Sequence, residues 1–182
     1  MILLRHGESH FNRLFSRSRV DPGIHDPELT ETGQAQAMAA ATALSGERIE
    51  SIVASPYTRA LQTASIIAEV LGVPVEVDPL VGERAAMSCD IGTPTGELAI
   101  RWPHLDLSHL AETWWPDFGE PESGIARRAS EFLELARARA NREHMLVVSH
   151  WGFIRALTGR EVHNCQIVRF DWRTLSAAPD PC

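Results

Sequence analysis

The first four residues, Met1-Ile2-Leu3-Leu4, are apolar and run without a break into Arg5-His6-Gly7. Such a run suits a short buried strand and is too short for a helix. A second run, Met145 to Val148, ends in Ser149-His150, and a third, Ser51 to Ala54, ends in Ser55 close to Arg59. Arginine, histidine and glycine at the carboxyl edge of a strand make poor core. In open α/β sheets, however, ligands gather beyond the carboxyl ends of the strands. If these three strands are parallel neighbours, two histidines and two arginines converge on one crevice.

The rest of the chain alternates in the manner of an α/β sheet. Residues 5–28 read as a polar loop holding Pro22 and Pro27. Leu29-Thr30-Glu31-Thr32-Gly33-Gln34 carries capping residues for an alanine-rich helix that reaches Leu44 and stops at Ser45-Gly46. Ser55-Pro56 is expected to open a second helix through Leu71, ended by Gly72 and Pro74. Val75 to Val77 reads as a third strand, residues 124–142 as a helix, Phe153 to Thr158 as another, and Ile167 to Phe170 as an edge strand. The expectation is a three-layer α/β/α sandwich on a mostly parallel sheet, one domain over 1–182. Residues 79–124 form an irregular, substrate-facing insertion, since so long a connection in a compact domain usually serves function. Residues 174–182 are expected to be a flexible tail.

Composition removes several alternatives. All 17 basic side chains are arginine, so there is no P-loop lysine, lysine Schiff base or Ser-x-x-Lys pair. The net charge of −7 repels nucleic acid, and an anionic substrate needs a concentrated local positive pocket. Arg127, Arg128, Arg137, Arg139 and Arg142 alternate with Glu131, Glu134 and Glu143 and read as a solvated helix face. No apolar run approaches a membrane span, and Met1 to Leu4 meets Arg5 with no signal-peptide core. Cys89, Cys165 and Cys182 are odd in number and lack Cys-x-x-Cys spacing, which argues against a disulfide framework and a structural zinc. His6 and His10 stand four apart, but a strand-to-loop context does not place them on one helix face. A cytoplasmic protein with no metal, no cofactor, no membrane and no nucleic-acid partner is expected, its oligomeric state open.

Arg5, His6, Arg59 and His150 around one phosphoryl group form a chemically sensible set. Arginine presents planar donor forks to phosphate oxygens. A neutral imidazole is a competent nucleophile near neutral pH, so His6 could attack phosphorus in line. A protonated His150 would stabilise charge on the equatorial oxygens. Gly7 would let the backbone approach substrate, and Asn12 could add a hydrogen bond. Glu83, following the third strand, is the candidate proton donor to the leaving group, with Asp90 its first substitute.

These blocks resemble a known family. Leu4-Arg5-His6-Gly7-Glu8-Ser9 with Asn12, then Leu29 to Ala35, then Ser55-Pro56-Tyr57-Thr58-Arg59-Ala60-Leu61-Gln62-Thr63-Ala64, then Val148-Ser149-His150-Trp151-Gly152 look like the signatures of the histidine phosphatase superfamily. This is its phosphoglycerate-mutase-like branch, marked by the Arg-His-Gly motif. The resemblance implies an α/β/α sandwich, a phosphorylated His6, a pocket of Arg5, Arg59 and His150, Glu83 as proton donor, and no metal requirement. Two positions depart from the family pattern. Trp151 stands where a small residue is usual, and could narrow the pocket or stack on substrate. The Ala85 to Gly92 run replaces the Tyr-Gly-rich run of the mutases. The reading is therefore a phosphomonoesterase acting on a small phosphorylated metabolite. The alternatives are a mutase using the same residues and a non-catalytic binder of phosphorylated ligands. Trp102, Trp114, Trp115, His104 and His109 read equally as a substrate lid or as anchors of a long loop.

Overall fold

The computed structural model describes residues 1–172, so the tail expected at 174–182 lies outside the described residues. Five strands form one sheet: β1 (Ile2–Arg5), β2 (Ser51–Ala54), β3 (Val75–Val77), β4 (Met145–Ser149) and β5 (Ile167–Arg169). Their order is β3-β2-β4-β1-β5. All neighbours are parallel except β5, which runs antiparallel to β1 at the edge.

Period-two alternation divides the strand side chains between two cores. Ile2, Leu4, Ile52, Ala54, Leu146 and Val148 face one side, packed on α2 (Glu31–Leu44), α3 (Thr58–Leu71) and α4 (Thr95–Arg101). Met1, Leu3, Val53, Met145 and Val147 face the other, packed on α5 (Glu122–Arg137) and α6 (Trp151–Thr158). The result is an α/β/α sandwich. No helix among the described residues is long and apolar enough to cross a membrane.

Several elements differ from the sequence expectation. Residues 10–18, read as loop, form α1 (His10–Ser18). Its capping box uses Asn12 in place of glutamate: Ser9 Oγ accepts from the Asn12 N–H while Asn12 Oδ1 accepts from the Ser9 N–H. α3 begins at Thr58, not at Pro56, because its cap comes from far away in sequence. Asp26 accepts from the Thr58 N–H at 2.8 Å and from its hydroxyl at 2.6 Å. Ser55 and Pro56 stay in the preceding turn, which frees the Ser55 hydroxyl for other use. α2 ends at Leu44 and α3 ends in a left-handed Gly72, both as the sequence predicts. α5 stops at Arg137, short of residue 142.

Residues 79–124 contain α4 and short 3-10 turns at Pro79–Val81 and Ser88–Asp90. Leu98, Trp102, Leu107 and Leu110 from this stretch join the first core. His109 Nε2 lies 2.8 Å from the Val77 carbonyl, and Trp114 Nε1 donates to Thr93 O. Trp102, Trp114 and His109 are thus packing anchors, and it is residues 82–90 that reach the carboxyl ends of the strands.

Candidate active site

The parallel order β2-β4-β1 brings the three polar strand ends side by side. The ladder continues past the strands: the His6 N–H donates to Ser149 O at 2.9 Å and the Ser55 N–H to Val148 O at 3.1 Å. Two imidazoles result, with His6 and His150 ring centroids 5.1 Å apart. Both are almost wholly buried, as is Arg59.

Each ring is oriented by one hydrogen bond. His6 Nδ1 lies 2.7 Å from the Gly7 carbonyl, which can only accept, so Nδ1 carries the proton and Nε2 keeps its lone pair. His150 Nε2 lies 2.8 Å from Ser55 Oγ, and its Nδ1 has no partner among the described residues. Burial above all, then the positive charges of Arg59 and Arg5, holds both imidazoles well below their ordinary range. At neutral pH the pair is uncharged, and the positive charge of the site resides on the arginines.

Arg59 is held on three sides. Its guanidinium lies 4.5 Å over the Tyr57 ring, donates to Cys89 O at 2.7 Å and pairs with Asp90 Oδ1 at 3.2 Å. Tyr57 in turn packs edge-on against His150 and Trp114 and donates to Asp90 O at 2.6 Å. Arg5 donates from Nη1 to Val162 O at 2.9 Å, and its buried Nε has no partner among the described residues. Glu83 sits at the amino end of α6, accepting from the Gly152 N–H at 2.9 Å and from the Arg84 N–H at 2.9 Å. Burial first, and Asp90 second, raise it above the usual carboxylate range against those two donors. Arg5, His6, Arg59, Glu83 and His150 therefore form one electrostatically coupled group.

Asn12 is joined to this group through Asn164, and Trp151 directly follows His150 in sequence. Asn164 Nδ2 donates both to His6 O at 3.0 Å and to Asn12 Oδ1 at 3.2 Å, tying α1 to the Arg-His-Gly turn. The half-buried Trp151 packs against the second core, with the Arg155 guanidinium 5.1 Å over its ring. Gly7 has a reason for being glycine that the sequence reading does not give. A Cβ there would overlap the Gly33 carbonyl, so the close approach is to the start of α2. Its N–H donates to Thr63 Oγ1 at 3.1 Å.

A family profile described as the histidine phosphatase superfamily (branch 1) matches residues 1–177. The chain belongs to that superfamily. A probable phosphoglycerate mutase of Photorhabdus laumondii is 40% identical over 186 aligned positions, covering 94% of this chain and 84% of that protein. Phosphoserine phosphatase 1 of Hydrogenobacter thermophilus is 31% identical, over 86% of this chain and 73% of that protein. Among solved structures, a mycobacterial glucosyl-3-phosphoglycerate phosphatase complexed with VO3 aligns with a TM-score of 0.65 and 25% identity, over 92% of this chain and 88% of that one. Superfamily relatives of this chain thus carry both phosphatase and mutase names.

Sequence reasoning missed four contributors. Ser55 was read as a helix opener and instead orients His150. Thr63 and Asn164 carry no local signal, since their partners lie 56 and 158 residues away. Arg128, assigned to a solvated face, is the main correction. Only 12% exposed, its side chain donates to Leu80 O, Gly82 O and Glu83 O and pairs with Glu120 at 2.7 Å. Its neighbour Arg127 is exposed, as the helical pattern predicts. Among the described residues no group of three or more His, Cys, Asp or Glu is arranged to hold a metal ion.

Proposed function

We propose that this chain is a phosphomonoesterase that removes the phosphoryl group of a small phosphorylated metabolite by way of phospho-His6. The observation that carries the reading is the fixed tautomer of His6: a buried, neutral imidazole with its Nε2 lone pair free, beside two arginines.

Arg5 and Arg59 bind the non-bridging oxygens of the substrate phosphate. His6 Nε2 attacks phosphorus in line, and the bond from phosphorus to the leaving oxygen breaks. That oxygen takes the proton of Glu83, whose burial shifts the carboxyl towards its protonated form. His150 Nδ1 faces the equatorial oxygens. The incoming negative charge offsets the arginine field that keeps this imidazole neutral, so it takes up a proton as phosphate binds. In the second step water attacks phospho-His6 and gives a proton to the Glu83 carboxylate. The N–P electron pair returns to His6 Nε2, and inorganic phosphate leaves. Asn12 and Trp151 border the substrate.

Hydrolysis is favoured over phosphoryl return because Ala85 to Gly92 lacks the mutase-like run and Glu83 is only half-buried, within reach of water. The relatives' names direct the first assays. Incubation with phosphoserine, phosphoglycerates, glucosyl-3-phosphoglycerate and other phosphorylated metabolites should release free phosphate and give an acid-labile phosphoprotein, both lost in His6→Ala. Isomerised product without release would favour the mutase. Binding with no turnover across the panel would leave only a phospho-ligand binder.

A further inference from the structure

The buried carboxylate of Asp90 has no role in the chemistry above, yet it is among the most fully engaged side chains of the molecule. Its Oδ2 accepts from the Ala86 N–H at 3.1 Å and the Met87 N–H at 3.0 Å. Its Oδ1 pairs with Arg59 at 3.2 Å and accepts from the Cys89 thiol at 3.4 Å. With 5% of the side chain exposed and both oxygens occupied, it is badly placed to give a proton to substrate. An acid at this position would have to break its bond to Arg59 in order to act.

Resting on the phosphatase reading, we propose that Asp90 is a positioning residue that fixes the Arg59 guanidinium in the phosphate site and ties it to the segment carrying Glu83. A guanidinium has five donors in a rigid fork, and a single bidentate arrangement must be chosen before substrate arrives. Cys89 O and Asp90 Oδ1 occupy Nη1 and Nη2 from one side, and Tyr57 covers a face. What remains of the fork is directed at the incoming phosphate. The two backbone donors on Oδ2 lie three and four residues before Asp90 in the same loop that holds Glu83. The clamp therefore joins the phosphate-binding arginine to the proton donor.

A second consequence is electrostatic. Facing Glu83 are Arg5 of β1, Tyr57 and Arg59 at the start of α3, and Cys89 and Asp90 of the 3-10 turn. The Gly152 N–H of α6 and Arg128 of α5, the latter on the Glu83 carbonyl, complete its surroundings. Asp90 is the other carboxylate in this set, so removing its charge stabilises ionised Glu83 and exposes it to the uncompensated Arg59.

The test compares wild type, Asp90→Asn and Asp90→Glu with a His6→Asn control, using p-nitrophenyl phosphate and an alkyl phosphate, with inorganic phosphate binding followed by calorimetry. In Asp90→Asn the amide oxygen can keep the Ala86 and Met87 donors, while the amide NH2 then faces Arg59 and cannot pair with it. Phosphate affinity should fall and KM should rise about tenfold, with kcat for p-nitrophenyl phosphate changed far less. The alkaline limb of kcat/KM for the alkyl phosphate should move to lower pH by about half a unit or more. Asp90→Glu keeps the charge and misplaces it, so KM should rise with the pH limb unmoved. Unchanged KM, phosphate affinity and pH profile in folded Asp90→Asn would overturn the proposal. If both variants fail to fold, the wild-type guanidinium decides: distinct Nη1 and Nη2 resonances for Arg59 support the clamp, and one averaged resonance overturns it. A wild type inert across all substrates and indistinguishable from His6→Asn overturns the catalytic reading instead, leaving phosphate affinity and the guanidinium resonances to judge Asp90.

Discussion

Arg128 offers the sharpest test of how Glu83, the proposed proton donor, is held. Its side chain spans α5 and the loop ahead of Glu83, donating to the carbonyls of Leu80, Gly82 and Glu83 and to both oxygens of Glu120. The pair is 12% and 8% exposed, so solvent screening is weak. Truncation in Arg128→Ala strands the Glu120 charge and three carbonyls at once. Removing one partner of a buried pair costs about 3–5 kcal/mol. The carbonyls add roughly 1 kcal/mol each where water cannot reach them, and these losses overlap, since the loop relaxes once released. A net destabilisation of about 4 kcal/mol is expected, large against a typical total of about 5–15 kcal/mol but short of unfolding most domains at 25 °C. Urea denaturation measures it, with an unchanged m-value required for a two-state comparison. In the folded fraction, kcat for an alkyl phosphate should fall by about tenfold to a hundredfold because Glu83 loses its support, with a smaller loss for p-nitrophenyl phosphate, whose leaving group needs no proton. A loss of stability under about 1 kcal/mol, the range of an exposed ion pair, together with full activity, would refute the reasoning.

Three further outcomes follow from the same geometry. His6 and His150 have depressed pKa values, so the folded state resists protonation while the unfolded chain takes up protons below about pH 6.5. Stability should be flat in these two groups above that pH and fall below it by up to about 1.4 kcal/mol per pH unit for each histidine. Glu83, raised when folded, works in the opposite sense above about pH 4.5, so the His6→Asn/His150→Gln double variant is the comparison that isolates the slope. In Gly152→Ala the added Cβ overlaps Glu83 Oε1, and the acid must move. The variant should stay folded by circular dichroism and lose turnover of poor leaving groups by about a hundredfold; retained turnover would count against Glu83 as the donor. Burial pushes the Cys165 thiol up to about 12 and raises that of Cys89, so in Cys182→Ser neither should react with a thiol reagent at pH 8 at a rate near that of free cysteine.

What was legible in the sequence is what depends on short range. The strand runs, the glycine at the end of α3 and the alanine-rich α2 follow from local pattern, and parallel strand order then brings Arg5, His6, Arg59 and His150 together. α1 was read as loop although Phe11, Leu14 and Phe15 have helical spacing, because an Asn12 capping box is a weaker signal than Ser-x-x-Glu. The start of α3 was not legible, because its cap is Asp26, 32 residues upstream. Arg128 was misread for a related reason. Helical periodicity says which face a residue occupies, but not that Leu80 to Glu83 crosses that face with three carbonyls turned towards it. Gly7 shows the converse case, where a motif position meets a further demand, the backbone of Gly33, that the motif alone does not reveal.

The charge distribution makes sense once these contacts are combined. On the proposed phosphatase reading, a chain of net charge −7 attracts a phosphate dianion with a small group of residues, and lysine is absent. Two neutral imidazoles add no positive charge before substrate arrives, so attraction falls to Arg5 and Arg59. Arg59 is already paired with Asp90, which reduces its field but fixes its direction. Arg5 has no carboxylate partner among the described ion pairs and bonds only to a carbonyl through Nη1. On that reading the two arginines are expected to be unequal, Arg5 supplying more of the long-range pull and Arg59 more of the geometry. Neutralising Arg5 in Arg5→Gln should therefore make phosphate binding less sensitive to salt, since a full unpaired charge is lost. Arg59→Gln should weaken binding with less change in that salt dependence. Calorimetric titration with inorganic phosphate at low and moderate ionic strength measures both slopes. Equal slopes in the two variants would show that Asp90 leaves the field of Arg59 untouched.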